Sequence, residues 1–541
     1  MAHFDILIRN GFVADGTGLP GRIADVAVNG EYIAAVGSLK NDTADRVLDA
    51  QGHLVCPGFI DPHTHEETVA LFDGDFSVYL KMGVTTTING NCGHSVTPGG
   101  SDNVYQYYYK NGLMTAEGVE RFSREAPKWS DFAGFCRVIE EKGINLNMGF
   151  LLGHGTIRWS VMGGSKDRKP TPEEMEEIHR CLEEGLSQGA LGMSTGLAYI
   201  PSRYADLDEL VDCCKIVARY NGTYATHARY YLGILPSTQE AIEIGRRAGC
   251  RVQVSHLTPT SPESYDAILA ARREGILVAA DTVPRSAGHC MRKDRLIQFI
   301  MAVSSTLFDL GVEGVKAAVH DPEGRQVVRK EAFILGSMDS LRVINTGDPE
   351  LENKSIQEIA DQQGRTDAFD VLLDLIGDDR SYTFWLGGPV RADYPMTPHP
   401  DSIVANPYVM VGSDRIFAEP WDPMSWYELQ RRGSFPIFME MYRKKGVPVE
   451  EIVRRNTSLA AEQFRIPDRG LLKPGMKADI SVIDLNRYHY PGPYEIDYSN
   501  STAVAEGVEY VLVNGTVTLD QGQVLDARAG QVIRRSGETS V

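Results

Sequence analysis

The stretch Pro57-Gly58-Phe59-Ile60-Asp61-Pro62-His63-Thr64-His65 decides how this chain is read. The apolar run Val55–Ile60 has the character of a short buried strand, and two histidines follow it one residue apart. Side chains two apart on a strand point to the same side. His63 and His65 can therefore present two imidazoles to one metal ion at the strand's C-terminal end. A bare His-x-His is a weak signal, because core and surface histidines are at least as common. The buried run in front of it gives this one its weight.

The same arrangement recurs outward from there. The strand-like segment Val84–Asn91 runs into Asn89-Gly90-Asn91-Cys92-Gly93. A thiolate there can coordinate a metal, and glycines on both sides let the backbone come close. His227 closes Tyr224-Ala225-Thr226-His227, His256 closes Val252-Gln253-Val254-Ser255-His256, and Asp414 closes Val409-Met410-Val411-Gly412-Ser413-Asp414. Each has an ordinary reading when taken alone: a buried inert cysteine, a packed histidine, a helix N-cap aspartate. Four histidines and a cysteine, all at strand ends, are hard to assign to packing. A carboxylate beside a metal and its water can accept a proton and later deliver it to a leaving group. Asp414 is therefore the candidate proton shuttle as well as a candidate ligand.

Eight short buried strands are expected: Leu54–Asp61, Val84–Asn91, Asn145–Gly153, Gly189–Thr195, Thr223–His227, Arg251–His256, Ile276–Asp281 and Val409–Asp414. Helical patterns separate most of them. The clearest is Thr171–Gln188, with Pro172 at the first helical position and acidic residues in the opening turn. Asp206–Tyr220, Glu240–Ala248 and Ser261–Glu274 follow suit. Eight strand–helix units predict an α/β fold, a closed (β/α)8 TIM barrel of the metal-dependent hydrolase type. A doubly wound open sheet is the alternative. The barrel is favoured because polar candidate ligands fall at the ends of so many strands, on the rim where barrel enzymes place their chemistry. Residues 286–351 interrupt the pattern between strands seven and eight and read as an insertion covering the active-site mouth. Strand-like segments at the start (Phe4–Arg9, Asp25–Val28, Ile33–Val36) and end (Ala478–Asp484, Tyr510–Asn514, Thr516–Leu519) predict a small β-sandwich domain built from both termini, residues 1–55 plus 470–541. The catalytic barrel would then occupy 56–469.

Composition narrows the function classes. A net charge of −19 over 541 residues argues against nucleic-acid binding, which needs a basic face. No uncharged apolar run reaches about 18 residues, so no membrane span is expected. The opening MAHFDILIRNG lacks the pattern of a secretory signal. The eight cysteines match neither a disulfide framework nor a paired-cysteine zinc ribbon, which points to reduced thiols in a cytoplasmic protein. The partner expected is a small-molecule substrate, and a homo-oligomer is compatible with the sequence.

The order His-x-His, a Gly-Asn-Cys-Gly cysteine, then His, His and Asp at strands five, six and eight resembles the amidohydrolase superfamily. More narrowly, it is similar to the N-acyl-D-amino-acid deacylase (D-aminoacylase) family. Gly153-His154-Gly155-Thr156-Ile157-Arg158, Gly189-Ala190-Leu191-Gly192-Met193-Ser194-Thr195-Gly196-Leu197 and Asp468-Arg469-Gly470-Leu471-Leu472-Lys473-Pro474-Gly475-Met476 agree with it, and the likeness covers nearly the whole chain. The resemblance implies Zn2+ and amide hydrolysis by metal-activated water. It implies Cys92 in the bridging role that a carboxylated lysine plays elsewhere, with Cys92, His227 and His256 on the tightly bound ion. His63, His65 and Asp414 would border a second, weaker site.

The substrate pocket departs from the resemblance. Where relatives commonly read Asp-x-Tyr-Pro-Tyr, this chain has Asp281-Thr282-Val283-Pro284-Arg285. Arg285 could bind a carboxylate bidentately. Arg229 is another candidate partner for a substrate carboxylate, with a structural salt bridge as its alternative. Tyr230 and His289 are further candidate substrate contacts, and His94 directly follows the cysteine motif. The expected activity is cleavage of an N-acyl-D-amino acid or related N-acyl compound. The alternatives are action on a cyclic amide, ureido compound, lactone or peptide-like substrate, or a non-catalytic binding protein on the same scaffold.

Overall fold

A computed structural model describes residues 1–535 except 285–288, 302, 334–336, 345, 381, 387–398, 417–430 and 492–502, and the backbone alone at 289–291, 299 and 416. Eight parallel strands, β1 (Phe59–Asp61), β2 (Val84–Asn89), β3 (Asn147–Gly153), β4 (Gly192–Gly196), β5 (Thr223–His227), β6 (Arg251–Val254), β7 (Val278–Thr282) and β8 (Val409–Val411), pair in sequential order. They form a nearly closed barrel, so the open doubly wound alternative is excluded.

The strands curl around an apolar floor. Ile60, Ile88, Leu151, Ala225, Ala279 and Met410, one from each of six strands, pack against Leu459, Ala460 and Phe464 of the closing segment. The helix Ser458–Gln463 seals that end, and Gln463 donates from its side-chain amide to the Val252 carbonyl at 2.8 Å. The expected helices between the strands form close to their sequence signals. Pro172–Ser187 carries a reciprocal cap between Thr171 and Glu174, and Leu207–Arg219 is capped by Asp206.

The run expected as one first strand, Leu54–Asp61, is cut in two at Gly58. Leu54–Pro57 pairs with Ile480–Ile483, while β1 pairs with β2. A Cβ on Gly58 would lie 2.2 Å from the Thr85 side chain, so only glycine lets the chain pass from one sheet to the other here. The terminal strands form one branched nine-stranded sheet, joining His3–Val13, Arg22–Asn29, Tyr32–Gly37, Thr43–Asp49 and Leu54–Pro57 to four strands between Ile480 and Val524. Its inward side chains, among them Ile8, Val26, Val55, Ile480, Val482 and Leu512, make a core of their own. Thr43–Asp49 had no clear alternating pattern and was not expected as a strand.

The insertion after β7 is larger than the sequence reading had it. Its four-stranded sheet includes Thr383–Leu386, which pairs antiparallel with His289–Arg292 and Leu341–Ile344. The unit therefore extends beyond residue 351, and it has its own apolar core. It leaves β7 but touches segments that follow β2, β3 and β4. Lys110 donates to the Asp309 carbonyl at 2.9 Å, and the rings of Trp159 and Phe308 lie 6.1 Å apart. The Tyr204 hydroxyl hydrogen-bonds with Ser305. In an eight-stranded barrel β3 faces β7 across the axis, so these contacts join segments from opposite sides of the barrel. Among the described residues, no helix is long and apolar enough to cross a membrane, and no cysteine forms a disulfide.

Candidate metal centre and active site

The C-terminal strand ends converge. The Cys92 sulfur lies 3.4 Å from His63 Nε2, 3.8 Å from His227 Nδ1 and 3.6 Å from His256 Nε2. Asp414 Oδ1 sits 3.5 Å from His63 Nε2 and 3.5 Å from His65 Nε2. All six residues expected as ligands are thus gathered. Two groups have donor atoms mutually within 4.8 Å: His63, Cys92 and His256, and His63, His65 and Asp414. His63 belongs to both, so it stands closer to the cysteine half of the site than the partition implied by the resemblance.

The donor set fits zinc. Zn–S near 2.3 Å and Zn–N near 2.0–2.1 Å in tetrahedral geometry put neighbouring ligand atoms about 3.3–3.6 Å apart, close to the spacing around Cys92. Electrostatics points the same way for His65 and His227. Burial pushes the His65 imidazole down to about 4, and burial with the neighbouring His256 holds His227 well below its ordinary value. Neutral imidazole is the form that binds metal. Burial opposes charge on His63 too, but Cys92 and Asp281 beside it raise its pKa well above normal. Against the cost of burial, the Arg431 guanidinium keeps Asp414 ionised.

The candidate ligands are held by backbone conformations that are uncommon for their residue types. Cys92, His256 and Asp414 have φ of 53°, 37° and 52°. Such left-handed placements cost about 1–3 kcal/mol each and persist only where surrounding contacts fix them. Here the Asp414 N–H donates to the His63 carbonyl at 2.8 Å, and the His256 N–H donates to Asp281 Oδ1 at 2.8 Å. Asp281 also accepts from Gln253 at 2.8 Å and faces His63 Nδ1 at 3.6 Å. It therefore braces two candidate ligands from behind. It closes the expected strand Ile276–Asp281, one residue before the end of β7, so the strand-end criterion that found Asp414 could have found it.

The expected substrate contacts fare differently. Arg229 donates from Nε to both Glu240 oxygens at 3.1 Å, and its other nitrogens donate to the Arg203 and Ala205 carbonyls. Its guanidinium is engaged in the structural salt bridge that was the alternative to the substrate-carboxylate reading. Tyr230 spends its hydroxyl on the Ser255 carbonyl at 2.7 Å, but its ring stands 5.4 Å from His227 and 5.9 Å from His256 and walls the site. Arg285 lies outside the described residues, as does the His289 side chain.

Three residues that the sequence reading did not single out lie beside the candidate ligands, in space or along the chain. Arg431 pairs with Asp414 Oδ2 at 2.7 Å, with both side chains almost fully buried. Tyr199 approaches His227 Nδ1 at 3.2 Å through its hydroxyl. Glu66, next to His65, accepts from Tyr79 at 2.9 Å and faces Arg415 at 3.2 Å. No local pattern marks Arg431, which is 17 positions past Asp414 in sequence. His94 is buried against Tyr107, Tyr108 and Tyr199, with its ring 6.1 Å from that of His65.

Comparison with known proteins shows the family. The amidohydrolase family model matches residues 46–519. The chain is 29% identical over 539 residues to a D-aminoacylase of Alcaligenes xylosoxydans xylosoxydans, with 98% of each chain covered. It is also 29% identical over 544 residues to an N-acyl-D-glutamate deacylase of the same organism, covering 98% of this chain and 96% of that one. An N-acyl-D-glutamate deacylase from Bordetella bronchiseptica, solved with zinc and a phosphonate mimic of the tetrahedral intermediate, superposes with a TM-score of 0.73 at 26% identity, covering 98% of this chain and all of that one. The chain belongs to the amidohydrolase family and is a hydrolase of carbon–nitrogen bonds other than peptide bonds.

Proposed function

We propose that this amidohydrolase is a zinc-dependent deacylase that cleaves the amide bond of an N-acyl-D-amino acid or a closely related N-acyl compound. The observation that carries the reading is the Cys92 sulfur set among His63, His227 and His256, with Asp414 facing His63 and His65. The full-length similarity to deacylases of D-amino-acid derivatives supports the substrate class.

Cys92, His227 and His256, joined by His63, would hold the ion, and His63, His65 and Asp414 would border a second position. Zinc supplies activation of a water near neutral pH and polarisation of the acyl carbonyl. The chain's own part is proton handling and enclosure. Asp414 Oδ1 faces the histidines while Oδ2 is held by Arg431, so Oδ1 is the oxygen that takes the proton from the attacking water. The same oxygen then passes it to the departing nitrogen. The Tyr230 ring and the insertion after β7 exclude bulk water, which strengthens each electrostatic contact inside.

The test is metal content together with turnover on N-acyl-D-amino acids, N-acyl-L-amino acids and cyclic amides. Stoichiometric zinc with D-selective release of free amine is expected. Turnover confined to cyclic amides would overturn the substrate class while leaving the metal chemistry in place.

A further inference from the structure

At the opposite end of the barrel from the metal centre lies a cavity of about 710 Å3, lined in part by Asn221, Arg465, Arg469, Arg534 and Arg535. A volume of this size suits a small-molecule ligand. Its floor is the segment after Ser458–Gln463. One side is the C-terminal arm, whose Val532 and Ile533 pair with Met148 and Gly149 of β3.

The charges around this cavity do not balance locally. Arg534 is matched by Glu140, with both carboxylate oxygens at 2.8 Å, and Arg469 is matched by Asp479 at 2.9 Å and Asp468 at 3.0 Å. Arg535 has no carboxylate. It donates to the Tyr220 and Leu186 carbonyls, stacks 5.2 Å from the Tyr220 ring, and its buried Nε has no hydrogen-bond partner among the described residues. Arg251, beside the cavity, donates to Asn221 at 2.9 Å. Burial first, and then repulsion from Arg465, lowers the pKa of Arg251; for Arg535, burial and Arg465 act the same way. Glu462 also lines the cavity and faces Arg272 at 3.9 Å, which leaves Arg465 and Arg535 as the lining arginines with no carboxylate ion pair among the described residues.

Arg465 is the residue least explained by folding. Its φ is 58°, the left-handed position just past a helix where glycine is the usual choice. Its exposed guanidinium lines the cavity and makes no ion pair or hydrogen bond among the described residues. A long cation in a conformation that favours glycine, beside an arginine with an unpartnered buried donor, fits recognition of an anion rather than packing.

We propose that this cavity is a second binding site, for a small oxyanion held by the Arg465 and Arg535 guanidiniums. The ligand chemistry is a phosphate or carboxylate group, which the planar guanidinium fork matches. A bound anion would neutralise the cluster and tie the C-terminal arm to the barrel floor.

The test titrates inorganic phosphate, and separately succinate, into the zinc-loaded full-length protein at constant ionic strength set by chloride. Calorimetry gives affinity, and thermal unfolding gives the shift in Tm. A saturable signal with at least one anion is expected, weakened on the order of tenfold in Arg465→Gln, with zinc content and turnover unchanged. A response to phosphate alone identifies a phosphate ligand; a response to succinate alone identifies a carboxylate. Arg465→Gly relieves the left-handed strain, so it should fold at least as well as the parent while losing the anion response. The proposal fails if neither anion saturates, or if both Arg465 variants titrate like the parent. In the second case the anion is binding elsewhere, for example at the metal centre.

Discussion

A Cβ built on Gly196 would sit 2.1 Å from the carbonyl oxygen of Cys92. The last residue of β4 has to be glycine for the Cys92 loop to lie against the strand. Gly153, at the end of β3, meets the same loop: a Cβ there would be 2.4 Å from the Gly93 carbonyl. The position of the sulfur is therefore set by the bare backbone of two neighbouring strands.

Gly196→Ala should push the loop outward, because the obstacle is backbone and cannot rotate away. The cost of such overpacking is about 1–3 kcal/mol. Lower zinc occupancy at equal total metal, measured by elemental analysis after dialysis, is the expected result. Full occupancy with parental stability would mean the loop has room that the structure does not show.

Cys92→Ala removes the atom nearest three imidazoles. Zinc content should fall well below one ion per chain, and turnover should fall in proportion. A variant that retains its zinc would make the cysteine a bystander.

Asp414→Asn keeps the shape of the side chain but cannot accept the proton. We expect turnover to drop by about 10^2–10^4-fold with the tightly bound zinc retained. Parental turnover would remove Asp414 from the mechanism.

Arg431 acts through Asp414, so its loss should be read in kcat more than in KM. Arg431→Met forfeits a charge-assisted contact and should lower kcat by about ten- to a hundredfold without loss of zinc. Arg431→Lys, or added guanidinium, should restore part of it. An effect confined to KM would mean that Arg431 touches substrate and does not position Asp414.

Glu209 closes a buried network away from the metal. It faces His154 at 3.0 Å and Arg158 at 2.8 Å, and Arg158 is fully buried. Against the penalty of burial, His154 and then Arg158 bring the Glu209 carboxyl down to about 2. A depressed folded-state value contributes stability that is complete above the unfolded-state pKa, near 4.3. That contribution is lost as pH falls through the folded value. Glu209→Gln should therefore destabilise by about 3–5 kcal/mol near neutral pH, since it strands a buried arginine. The gap between variant and parent should narrow as the pH drops from about 4.5 toward 2. Urea midpoints at several pH values test this, and a gap independent of pH would detach the effect from ionisation.

The sequence alone determined the candidate ligands and the barrel. Strand ends can be read locally, because an apolar run followed by a polar residue fixes where that residue emerges, and His63, His65, Cys92, His227, His256 and Asp414 all come together as that rule requires. What only the tertiary structure decided are the partners brought from far along the chain. Arg431 reaches Asp414, Asp281 braces both His63 and His256, and Arg229 turns away to Glu240. The arginine-lined cavity joins residues near 221, 465 and 535. None of these pairings has a sequence period, because each depends on barrel closure bringing distant segments within hydrogen-bond range. Once water is excluded there, a guanidinium or carboxylate settles on whichever opposite charge or carbonyl the fold sets beside it.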